Sequence, residues 1–180
     1  MFRVLTRAAV SLAVVAAGLV VLEAPAAAAV RGPLRYEVAR IWKCLDVPGS
    51  NPNNGVAVII FQCGVTAQPN QLWTEEDTGG GYVQIRNKAS RKCLAVKGAA
   101  TNIGQPIIQY TCNGTDNSEW KPVPVIVDPD GLDVYYLQNK NSKLCIHVKN
   151  ASSANSTPLV QHECKRNGKD NNLWTWYPWS

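Results

Sequence analysis

The sequence has 180 residues, 46% hydrophobic and 17% charged, with 18 Lys and Arg against 13 Asp and Glu, a formal charge of +5. That length suits one domain of moderate size, and this composition excludes an intrinsically disordered chain. The two His leave little material for a His-rich metal centre, and the basic residues are spread without a cluster, so no nucleic-acid partner is indicated.

The first residues read as a leader. Arg3 and Arg7 precede an apolar run from Ala8 to Leu22, which ends in Ala24-Pro25-Ala26-Ala27-Ala28-Ala29. A positive start, an apolar middle and a small-residue end are the order of a secretory signal peptide. The run is also shorter than the ~20 apolar residues that cross a bilayer. Residues 1–29 are therefore expected to be cleaved, leaving 30–180 as a secreted domain with no membrane insertion.

From here the chain repeats itself. All six Cys lie beyond the leader, and an even count in an exported chain argues for disulfides rather than thiol chemistry. Spacing singles out Cys44 with Cys63, Cys93 with Cys112 and Cys145 with Cys164, each pair separated by 19 positions. The pairs open with Cys44-Leu45-Asp46-Val47, Cys93-Leu94-Ala95-Val96 and Cys145-Ile146-His147-Val148. A β-favouring apolar run precedes each second Cys, for example Val56-Ala57-Val58-Ile59-Ile60-Phe61. Each unit closes on an Asn three residues before a Trp: Asn70 and Trp73, Asn117 and Trp120, Asn171 and Trp174. Corresponding positions recur at about 50 residues, which marks three copies of one unit.

The units are strand-like. Their apolar stretches are short, rich in Val, Ile, Leu and Tyr, and punctuated by Gly-, Pro- and Asn-bearing loops such as 47–55. No window carries a convincing helical period. One such unit cannot bury its own apolar face, whereas three can share a core about a threefold axis, each Trp supplying one third. A disulfide closing a loop of this length adds about 3 kcal/mol on the chain-entropy account.

The motif set, Cys-Leu-Asp-Val with an aromatic two residues before the second Cys and Asn-Gln-x-Trp, resembles the ricin B-type lectin repeat, shared with the carbohydrate-binding modules of family 13. The resemblance runs from about Leu34 to Trp176. It implies an all-β fold, a β-trefoil of twelve strands with pseudo-threefold symmetry, repeats at about 34–77, 82–124 and 134–177, and disulfides within each Cys pair. It further implies glycans as partners, no cofactor and no metal.

In that family each repeat can hold one shallow sugar pocket. An Asp two residues after the first Cys and the Asn of the closing motif bond hydroxyls, and the aromatic stacks on the ring. The chemistry is sound in itself, because a pyranose offers an apolar face for a ring and a rim of hydroxyls for charge-assisted hydrogen bonds. The first repeat carries Asp46, Phe61 and Asn70, with Gln71 in a supporting place. The second has Tyr110 and Asn117, but Ala95 stands where the Asp belongs. The third has Asn171, with His147 at the Asp position and His162 at the stacking position. The expected order of competence is first, third, second. Plainer readings stand beside these: Asp46 capping a turn amide, Phe61 in the core.

Trp73, Trp120 and Trp174 are expected in the core, and Trp176 is expected to pack the barrel ends. The segment Asp128-Pro129-Asp130-Gly131-Leu132-Asp133 lacks the spacing and closing Glu of a calcium loop and reads as a turn. Catalysis is not expected, because the trefoil accounts for nearly the whole secreted part and no nucleophile motif such as Gly-x-Ser-x-Gly is present. A trefoil that binds a protein partner through degenerate sugar pockets is the alternative.

Overall fold

The computed structural model of the protein describes residues 29–39, 41–125, 133–165 and 171–179. The expected signal peptide, up to residue 28, and most of the 128–133 turn lie outside them. The β-branched and aromatic runs form twelve strands, four to a repeat. The first repeat holds β1 (Val30–Val38), β2 (Lys43–Asp46), β3 (Ile59–Gln62) and β4 (Leu72–Gly79). The second holds β5 (Tyr82–Asn87), β6 (Cys93–Val96), β7 (Ile107–Tyr110) and β8 (Glu119–Pro124). The third holds β9 (Tyr135–Asn139), β10 (Cys145–Val148), β11 (Thr157–His162) and β12 (Trp174–Pro178). Helix among the described residues is confined to single 3-10 turns.

The outer strands of the repeats close a ring. β1 pairs antiparallel with β4 and β12, β4 with β5, β5 with β8, β8 with β9, and β9 with β12. Closure removes the sheet edges that an open meander of this length would expose. The inner strands form three hairpins, β2–β3, β6–β7 and β10–β11. These meet over one end of the barrel through β3–β11 pairing and the bridges Ala57–Ile108 and Pro106–Val160. The result is the β-trefoil.

The repeated residues meet in one core. Trp73, Trp120 and Trp174 are fully buried, packed with Leu45, Leu94 and Ile146. Each indole Nε1–H donates to the carbonyl of the residue after its repeat's first Cys: Leu45 at 3.1 Å, Leu94 at 2.8 Å and Ile146 at 3.2 Å. A buried indole needs such a partner, which ties the closing Trp to the opening tetrapeptide of the same repeat. The disulfides Cys44–Cys63, Cys93–Cys112 and Cys145–Cys164 staple each hairpin, with Cα–Cα distances of 5.1, 5.0 and 5.0 Å. At the chain ends, Trp176 packs beside Tyr135 and Tyr36, with ring centroids 4.3 and 5.4 Å apart. Trp179 carries the Arg35 guanidinium 4.7 Å over its ring.

Neighbouring repeats are joined by buried amides. Gln109 on β7 donates to the carbonyls of Asn51 and Asn53, holding the first repeat's hairpin loop. Gln161 on β11 does the same for Ala100 and Asn102 of the second. Ile60 occupies the equivalent place on β3, and there the link runs the other way. Asn155 Oδ1 of the third repeat's loop accepts from Gln62 N–H and the Lys43 ammonium, both in solvent.

Candidate functional site

In each repeat the turn after the first hairpin strand needs a left-handed residue. Gly49, Gly98 and Asn150 fill it, at φ 61°, 64° and 57°, residue types that tolerate this region. The turn carries the chain over the position two residues after the first Cys and forms the rim of a surface pocket in the first and third repeats.

In the first repeat, Cys44 pairs with Phe61 across the hairpin, and Asp46 lies two residues further along the same face. Asp46, Phe61 and Asn70 line one pocket of about 160 Å³ with Pro48, Gly49, Ile59 and Ser156. Phe61 is exposed, so it is not a core residue, whereas Asp46 is buried. Asp46 Oδ2 accepts from Asn70 Nδ2 at 3.0 Å and Gln71 Nε2 at 2.8 Å. No described residue donates to Oδ1. Burial pushes the Asp46 carboxyl above its ordinary value, against the opposing pull of the Gln71 and Asn70 amides. Gln71 sits behind the pocket, buried, its Nε2 also donating to Gln62 O at 3.0 Å and its Oε1 accepting from Gly64 N–H at 2.9 Å.

The third repeat builds a larger pocket, about 480 Å³, lined by His147, His162, Asn171, Lys149, Asn150 and Gly104 among others. His147 is buried and its Nε2 lies 2.9 Å from the Glu163 carbonyl. The two imidazoles lie side by side in the pocket, tilted by 43° with their centroids 5.1 Å apart. Burial pushes His147 down to about 4, with the Glu163 carbonyl opposing the shift and the neighbouring His162 adding to it. Asn171 Nδ2 donates to Val148 O at 2.9 Å, the counterpart of Asn70 Nδ2 on Val47 O at 3.2 Å. In the second repeat Asn117 makes the same bond to Val96 O at 3.0 Å, and Tyr110 is exposed. The buried Ala95 methyl leaves that repeat without an acceptor at the key position.

Two wall positions escaped the sequence reading. Ser156 of the third repeat reaches the first pocket, and Gly104 of the second reaches the third. They are equivalent: Ser156 N–H bonds Ile60 O and Gly104 N–H bonds Gln161 O, both at 2.9 Å. Each pocket thus borrows from the preceding repeat, a contact set by threefold closure that no local motif announces. Among the described residues, the one His, Cys, Asp and Glu group compact enough for a metal is Glu37, Cys44 and Cys63. Its two sulfurs are joined as a disulfide, so neither is a thiolate ligand.

The sequence is 32% identical over 79 residues to the probable lipoprotein EnvE of Salmonella typhimurium, covering 44% of this chain and 42% of that protein. It is 35% identical over 86 residues to β-galactoside-specific lectin 2 of Viscum album, covering 47% of this chain and 14% of that one. The matches thus span less than half the length of these curated relatives. Among solved structures, the designed threefold-symmetric protein ThreeFoil superposes with a TM-score of 0.71 at 29% identity, covering 79% of this chain and 96% of that one. The family model for the ricin-type β-trefoil lectin domain-like fold matches residues 37–110 and 69–162, which together run across all three repeats. With the closed barrel, the three stapled hairpins and the shared Trp core, this chain belongs to the ricin-type β-trefoil lectin domain-like family.

Proposed function

We propose that this domain is a secreted, non-catalytic carbohydrate-binding module that grips a pyranose mainly through its first repeat. The observation that carries the reading is the convergence of Asp46, Phe61 and Asn70 on one small open pocket. Asp46 Oδ1 accepts a sugar hydroxyl, while the Asn70 and Gln71 amides hold Oδ2 and so fix the carboxylate without competing for its outer oxygen. The exposed Phe61 ring offers a face to the apolar side of the sugar. Asp46 is the one carboxylate lining this pocket among the described residues, whereas glycoside hydrolysis calls for a pair. Export is supported by the three disulfides, by the leader-like composition of residues 1–29 and by the similarity to a probable lipoprotein.

A glycan array probed with residues 30–180 tests the reading, and the Viscum relative makes β-galactosides the first probes. Binding is expected, and Asp46→Ala is expected to weaken it about tenfold or more, since a charge-assisted bond is lost. Absence of binding to any glycan, together with specific capture of a protein, overturns it in favour of a protein-binding trefoil.

A further inference from the structure

Basic residues that form no continuous run in the sequence gather where the first two repeats meet. A cleft of about 290 Å³ is lined there by Thr74 and Glu76 of β4, Arg86 of β5, Lys88 and Arg91 of the turn that follows, and Val30. That is roughly ten times the space one water takes in the liquid, room for a sugar residue rather than a bare ion. Glu76 is the one carboxylate lining the cleft, and its Oε2 accepts from Arg86 Nη2 at 3.0 Å. Lys88 and Arg91 are exposed, and among the described residues no carboxylate pairs with either.

The third repeat supplies the contrast. Lys88 N–H bonds Leu72 O at 2.8 Å, and its counterpart Lys140 N–H bonds Glu119 O at 2.9 Å. Arg91 and its counterpart Lys143 donate in the same way to Asn87 O and Asn139 O, both at 3.0 Å. Lys140 is neutralised within the protein, by Asp116 at 3.0 Å and Glu119 at 2.9 Å. In the first repeat Pro69 and Leu72 stand where those two acids stand, so Lys88 keeps its charge for an outside partner. The turn that carries both cations is pinned. Buried Asn87 accepts from Ala89 and Ser90 N–H, both at 3.1 Å, and donates to Asn70 O at 2.9 Å. Arg91 is left-handed at φ 63°, as its counterparts Trp42 and Lys143 are, where Gly or Asn would sit without strain. A long cation held there at a conformational cost points to a use beyond the turn itself.

We propose that this cleft binds a uronic acid residue of an acidic polysaccharide, its carboxylate held by Lys88 and Arg91 and its hydroxyls by Glu76 and Thr74. The guanidinium fork matches a carboxylate with two parallel bonds. Glu76 accepts from hydroxyls but repels a second anionic group, which sets a uronate apart from a densely sulfated or phosphorylated chain. A nucleic acid calls for cations along many successive phosphates, whereas the cleft offers two unpaired ones at a single place. The site shares no residue with the Asp46 pocket and does not rest on the first-repeat reading.

Residues 30–180 are titrated at low salt with polygalacturonate, alginate and hyaluronan, and with methyl-esterified polygalacturonate as the uncharged control. At least one of the three acidic polymers is expected to bind, more weakly as salt rises, and the ester is not. Lys88→Gln with Arg91→Asn is expected to lower that affinity about tenfold or more through two lost charge-assisted bonds. Because Asn suits the left-handed turn, this variant is expected to unfold no earlier than the parent. Lys140→Gln with Lys143→Gln removes the same charge from the equivalent place and is expected to leave binding unchanged. Equal losses in the two double variants mean diffuse attraction to net charge and overturn the proposal. So does binding of the ester as tight as that of the acid, or no binding to any of the three acidic polymers. Duplex DNA or anionic vesicles that bind more tightly than these polymers, and lose it in the Lys88/Arg91 variant, reassign the cleft. Asp46→Ala is expected to leave polyuronate binding intact. If it abolishes that binding while the cleft variant does not, the first-repeat reading stands and this one falls.

Discussion

Asp46 and His147 occupy equivalent positions on β2 and β10, both buried, and their titrations act on stability with opposite signs. The Asp46 carboxyl lies above its ordinary value of 3.8 in the folded state, so the native protein holds that proton more readily than the unfolded chain. Ionising it therefore costs stability above that range and costs nothing well below it. Asp46→Asn is expected to raise Tm at pH 7, with the gain vanishing near pH 3, while weakening sugar binding about tenfold. Thermal unfolding at the two pH values and a binding titration check both halves. His147 is pushed down from 6.5 to about 4, so between those values the unfolded chain binds the extra proton and stability falls as pH falls. His147→Asn is expected to flatten that part of the slope, read as the denaturant midpoint between pH 6.5 and 4. A midpoint that declines equally in both proteins refutes the assignment.

At the scale of the hairpins, the disulfides close loops of identical length, 19 positions apart in each repeat. If loop entropy governs their effect, replacing either pair by Ala costs a similar ~3 kcal/mol wherever it is done. That corresponds to roughly 6 to 12 °C in Tm for a domain of this size. Thermal unfolding of the three double variants tests the equality, and one outlying hairpin shows that packing rather than chain entropy dominates there. These elements were legible in the sequence. The equal Cys spacing and the Trp in each copy gave away the repeat and its shared core, and the resemblance of its motifs to a known lectin repeat implied the barrel. The joints between copies were not legible. Gln109 and Gln161 look like ordinary polar strand residues until the loops of the preceding repeats are found bonded to them. Likewise, nothing local to Glu163 announces that its backbone orients two imidazoles, because that depends on how the chain leaves β11 beside β10.

For the whole molecule, pockets on two lobes of one chain make valency the quantity to measure. On a surface of clustered glycans, disabling either pocket alone, by Asp46→Ala or His147→Leu, is expected to lower apparent affinity by about 10- to 100-fold. The other site's affinity for a free monosaccharide should stay unchanged. Surface plasmon resonance on dense and sparse glycan surfaces separates the two effects, and equal losses on both surfaces argue against joint engagement. The pairing of β1 with β12 adds a geometrical consequence. Leu34 lies opposite Pro178, and Trp179 N–H bonds Pro33 O at 2.9 Å, while Val38 and Trp174 sit nearer the hairpins. The first and last strands of the barrel therefore end side by side. A tether or companion domain spliced at either place would issue from the same part of the surface, so the unit can be grafted onto other polypeptides by either flank.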